Sequence, residues 1–197
     1  MIAVKVTHDL AKLGKRLHSI QSKQIPFATA KALTATAKHV QAKQPEQLEK
    51  DFDNPTPFTK RGFYVRGATK AKQYAIVGIK DIQAKYLELQ IKGGTRRPKG
   101  KALIAPSELR RNRYGNIPKG KIKALLAKPS VFSGTVNGTP GVWQRNKNGS
   151  MKLLISYSSE QKYKKRYDFV ESSRAMARKQ FPRELQRSIA FVMRTAK

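Results

Sequence analysis

The chain contains no cysteine. Disulfides, thiolate-held zinc and thiol catalysis are excluded together, and the absence suits a reducing compartment. No apolar run approaches the roughly 18–20 residues that cross a membrane. The opening MIAVKVTHDLAKL meets charge too early for a signal peptide. Acids are scarce: 12 Asp and Glu stand against 42 Lys and Arg, a formal net charge of +30. Such an excess says nothing about fold, but it places the protein among polyanions and makes free copies repel one another. Aromatics are also few, at 8% with one Trp.

What is present is a 197-residue chain, 39% hydrophobic, with its apolar residues well spread. That is enough for one substantial domain and unlike a disordered basic tail. The charge is not confined to an end. Residues 60–128 hold 19 basic and 3 acidic side chains, the densest third of the chain. No segment pairs a Lys face with a Trp/Phe/Leu face, which favours nucleic acid over an acidic lipid surface.

Alternation of Ile2, Val4 and Val6 predicts a short strand, and Leu10, Leu13, Leu17 and Ile20 the apolar stripe of a helix capped by Asp9. Pro26 opens an Ala- and Thr-rich helix that should end near Lys50, before Pro55 and Pro57. Its small side chains allow close approach; packing within the chain is the first reading, a subunit contact through Ala28, Ala32 and Ala35 the second. Strands are predicted at 62–68 and 73–80, with a short hairpin connection. DIQAKYLELQI then either opens a short helix capped by Asp81, the favoured reading, or continues the sheet, and Gly93-Gly94 ends it. Residues 92–128 read as a basic loop region with an apolar island (ALIAP) and a short helix (KGKIKALLAK). Asn148-Gly149 between alternating runs is the strongest hairpin signal. The last element is a helix over 168–196, with Pro182 expected to kink or divide it. The order predicts a single α+β domain: a helical part over 1–50, a small twisted antiparallel sheet with a hairpin, and a long C-terminal helix.

Chemistry-bearing constellations are lacking. His8, His18 and His39 have neither a second His at ligand spacing nor a matched carboxylate, so no metal site is expected. Glu160, Asp168 and Glu171 cluster loosely in sequence, and Asp168 and Glu171 suit a helix start. A nuclease would require them to meet Asp81 or Glu88 around Mg²⁺. GGTRRPKG lacks the Lys-Ser or Lys-Thr and helix that would make it a phosphate loop. No enzyme and no cofactor are expected.

The basic segment offers Arg96, Arg97, Lys99, Lys101, Arg110, Arg111, Arg113, Lys119, Lys121 and Lys123 as contacts to DNA or another polyanion. Contacts of this kind carry affinity without sequence information. The plainer alternatives are a solvated charged face or pairing with acidic patches of a neighbour. Tyr114 is the only aromatic inside the arginine cluster, so stacking on bases reads as poorly provided for.

IPFATAKALTATAKHVQ (25–41), TPGVWQRNKNG (139–149) and KQFPRELQRSI (179–189) resemble segments of phage minor tail proteins of the Z type, the tail completion proteins of lambda-like phages. AKYLELQIKGGTRRPKG (84–100) is similar, more weakly, to a segment of head–tail connector and neck proteins; Gln90 and Lys92 depart from the usual aromatic-Gly step. The likeness is scattered along the chain, and the quoted blocks hold 56 of its 197 residues. The resemblance implies an α+β virion protein that completes the tail or joins it to the head. It implies a homo-oligomeric ring around the DNA path, with other tail or neck proteins and viral DNA as partners and no membrane. The protein would reside in the virion, and in host cytoplasm during assembly. Diffuse Lys and Arg with few aromatics suit a ring that must attract phosphate without reading bases. The alternative reading is a free, sequence-independent nucleic-acid-binding protein of ribosomal or chromatin-like kind.

Overall fold

The computed structural model describes residues 23–195. The Ala-rich stretch forms helix α1, Ile25–Asp51, with Pro26 in the first turn where its missing N–H costs nothing. The helix stops one residue past Lys50, ahead of Pro55 and Pro57. One helical turn, α2 (Pro57–Lys60), follows, capped by the Thr56 hydroxyl accepting from the Thr59 N–H at 3.1 Å. Then come β1 (Phe63–Arg66), β2 (Ile76–Ile79) and α3 (Asp81–Lys92). The basic segment contains β3 (Gly94–Arg96), β4 (Leu103–Pro106) and α4 (Lys121–Leu126). The chain continues through β5 (Val131–Val136), β6 (Thr139–Arg145), β7 (Met151–Ser158) and β8 (Gln161–Tyr163) to α5 (Phe169–Thr195). The strand predicted at 2–6 and the helix at 10–20 lie outside the described residues.

The fold is α+β, as the sequence predicts, but among the described residues the strands form three small antiparallel sheets in place of one: β1-β2, β3-β8 and β4-β7-β6-β5. Helix α5 is not divided at Pro182, which stands exposed within an unbroken helix. A proline removes one N–H from the ladder, and the turns on either side are long enough to carry the helix past it.

The described residues separate into two compact units, each assembled from distant stretches: residues 23–45, 62–80 and 169–195, and residues 46–61 and 81–168. In the first, the buried apolar residues are Ala28, Ala30, Ala32, Ala37 and Val40 of α1, with Phe63 and Val192. Polar side chains of α1 stitch its neighbours on: Gln41 Nε2 donates to the Phe63 carbonyl at 3.0 Å, the Thr34 hydroxyl accepts from Ala68 N–H at 2.9 Å, and Gln44 Nε2 donates to Ser173 Oγ at 2.9 Å. Phe63 and Phe169 stack with ring centroids 6.0 Å apart.

The core of the second unit lies on the four-stranded sheet, where Val131, Val142, Leu154 and Ile155 meet Leu109 and Leu125. Val142 and Ile155 are cross-strand partners, and a bulge follows between Val142 and Trp143. Gly141 stands beside it at β6–β7, and a Cβ there would overlap the Ile155 carbonyl oxygen. Two Asn-Gly pairs turn the sheet differently. Asn137 and Gly138 both have positive φ, 49° and 76°, the two-residue hairpin turn with right-handed twist. At Asn148-Gly149 only Gly149 does, at 80°, within a longer loop closed by Asn146 N–H to the Ser150 carbonyl at 2.9 Å. The hairpin singled out in the sequence therefore forms, and a tighter one built on the same dipeptide stands eleven residues before it.

Candidate nucleic-acid interface

All ten basic residues named from the sequence are exposed, and all lie in the second unit. They do not hang on an unstructured loop. Arg96 is fixed by pairing of β3 with β8, Arg96 opposite Gln161. Arg97, Lys99 and Lys101 lead into β4, and Lys121 and Lys123 stand on α4. Arg110, Arg111 and Arg113 follow β4, where Arg111 Nη2 donates to the Pro106 carbonyl at 3.2 Å. The turn beyond is organised by Asn112, whose Oδ1 accepts from the N–H of Tyr114 at 2.9 Å and of Asn116 at 3.0 Å.

Among the described residues none of the ten forms an ion pair with a carboxylate. Two of the acids nearby, Glu108 and Glu88, are already matched. Glu108, the single acid between residues 92 and 128, pairs with Lys152 at 3.1 Å. Glu88 is hydrogen-bonded by Lys92 at 2.7 Å, which holds its carboxyl below the ordinary carboxylate range. Exposed pairs of this kind add little stability; their effect is to leave the arginines as the free charge of this surface.

One cleft of about 240 Å³ in the same unit changes the reading of the aromatics. It is lined by Phe52, Tyr86, Arg96, Tyr114 and Tyr163, with Asn54 and Asn116 among its polar groups. In sequence Tyr114 stands alone; in space two more tyrosines and a phenylalanine join it. The β3–β8 ladder brings Tyr163 opposite Gly94. Tyr86 is held by its hydroxyl, 3.0 Å from Thr59 Oγ1. Arg113 lies 4.7 Å from the Tyr114 ring centroid and bonds its hydroxyl at 2.6 Å. Tyr114, the single aromatic of the arginine cluster in sequence, is therefore one of four aromatics lining this cleft. No local signal marks these residues, because the pairing that assembles them joins strands over sixty residues apart.

In the first unit Ala28 and Ala32 are 1% and 0% exposed, which assigns both to packing within the chain and corrects their reading as partner contacts. Ala35 reaches a groove of about 610 Å³ with Phe27, Ala30, Thr34 and Ala68, rimmed by Lys31, Lys38 and Lys70.

Three of the carboxylates considered for a nuclease have basic partners close in sequence, Glu88 with Lys92 among them. Asp168 pairs with Lys165 at 2.9 Å and Glu171 with Arg174 at 2.7 Å. Among the described residues no group of three or more His, Asp or Glu is placed to hold a metal ion, and no helix is long and apolar enough to cross a membrane. His39 is half-buried; His8 and His18 lie outside the described residues. Comparison with protein-family models, curated proteins and solved structures finds no match.

Proposed function

We propose that this chain is a structural virion protein of a tailed phage, acting at tail completion or at the joining of tail to head. It works as a homo-oligomeric ring on the tail axis beside other tail or neck proteins. The ten basic residues of the second unit face the DNA path. The observation that carries the reading is the array itself: ten exposed Lys and Arg on an ordered scaffold, without carboxylate partners among the described residues. Such a surface attracts phosphate irrespective of sequence, which is what a conduit for DNA requires. The likeness of residues 25–41, 139–149 and 179–189 to tail completion proteins supplies the setting. Free copies at +30 repel one another, so ring formation calls for a polyanion or an acidic neighbour at the assembly site.

Electron microscopy of particles made with the gene interrupted tests this. Heads and tails that are separate, or joined but non-infectious, are the expected result. Normal infectious particles overturn it.

A further inference from the structure

The cleft in the second unit carries an inference that reaches past charge. We propose that it takes one unpaired nucleobase of a single-stranded nucleic acid, with the adjoining phosphate held by Arg96. The proposal rests on the polyanion reading above and deepens it from phosphate attraction to stacking.

The first support is the chemistry of the walls. Phe52, Tyr86, Tyr114 and Tyr163 come from four separate stretches and line one cleft with Arg96. Every base offers a π-face, so aromatic walls receive it without choosing a sequence. Asn54 and Asn116 add amide donors and acceptors suited to the mixed edge of a base.

The second is rigidity. Thr56 Oγ1 lies 2.9 Å from Thr59 Oγ1, which in turn holds the Tyr86 hydroxyl at 3.0 Å. The Asn112 turn fixes the backbone of Tyr114. Phe52 meets the buried Tyr167 edge-on with centroids 5.9 Å apart. Rings already held in place lose little freedom when a ligand stacks on them.

The third is size and charge together. About 240 Å³ falls below the roughly 300–1,000 Å³ of sites for drug-sized ligands, so the cleft suits one planar group and not a length of chain. Its one carboxylate, Asp53, is drawn to Arg166 at 3.6 Å, while Arg96 has no carboxylate partner among the described residues. A wholly apolar ligand would leave Arg96 and the amides unanswered, and an acidic peptide would leave the rings unused.

The test is fluorescence anisotropy of the full chain at one fixed salt with labelled oligo-dT and oligo-U decamers, an abasic decamer and a short duplex. The base-bearing decamers should bind about 5- to 100-fold more tightly than the abasic one. A variant carrying Tyr86→Ala and Tyr163→Ala should lose that margin and bind duplex as the wild type does. Tyr86→Phe, which keeps the ring, should keep the margin. Preference for oligo-dT or oligo-U over the abasic strand supports the site and says whether DNA or RNA fills it. Equal binding of base-bearing and abasic strands overturns the stacking site and leaves the polyanion reading standing. Failure to bind any strand or duplex overturns both.

Discussion

Tyr167 has no exposed surface, and its burial in the second unit, followed by the nearby charge of Asp51, holds its phenol well above the ordinary value near 10. The direction of the pH effect follows from proton balance. Below about pH 10 the phenol is neutral in both folded and unfolded chains, and the advantage of burying it is fully present. Above that, the unfolded chain releases a proton that the folded chain retains, so stability falls as pH rises. Wild type should therefore lose up to about 1.4 kcal/mol per pH unit relative to Tyr167→Phe across the alkaline range. Urea unfolding of both proteins at neutral pH and above pH 10 checks it; parallel pH slopes would show that the phenol is not held. Residues of this kind were illegible in the sequence. Nothing local announces that Tyr167 is buried and Tyr163, four residues earlier, lines a cleft. The exposure of the ten Lys and Arg was legible, because isolated charges stay in water unless paired.

Elements with local instructions were the readable ones. Helix α1 follows from Pro26, a run of helix-forming residues and the Pro55–Pro57 stop, and α3 from Asp81 at its start and Gly93 at its end. The β1–β2 hairpin and the Asn148-Gly149 turn needed only alternation and turn chemistry. The β3–β8 pair was not readable: three-residue strands carry too little pattern to identify themselves, and each depends on a distant partner. Pro182 misled because its local penalty is outweighed by the turns around it. The four-stranded sheet makes its own prediction at β6. Gly141→Ala should cost about 1–3 kcal/mol or more, since the new methyl meets the Ile155 backbone, which cannot rotate away. Gly149→Ala meets nothing within 4 Å and bears only the penalty of positive φ, about 1–2 kcal/mol. Chemical denaturation of the two variants separates them; a Gly141→Ala protein no less stable than Gly149→Ala would mean that the strands can part at the bulge.

For the whole molecule, charge sets the measurable behaviour. Each phosphate neutralised contributes about 0.9 to the slope of log affinity against log salt on duplex DNA. Replacing Arg96, Arg97, Arg110, Arg111 and Arg113 together by Gln should lower that slope by up to about 4.5. An unchanged slope would move the contact elsewhere on the surface. The two units have a further consequence, for synthesis. The second unit is complete once residue 168 has left the ribosome, whereas the first takes in residues 23–45, which come earlier, and residues 169–195, which come later. Phe63 must await Phe169 and Gln44 must await Ser173. Residues 23–45 are thus translated before the second unit is complete but packed after it, and a nascent chain stalled within α5 would carry a completed second unit while the apolar residues of α1 still lacked their later partners.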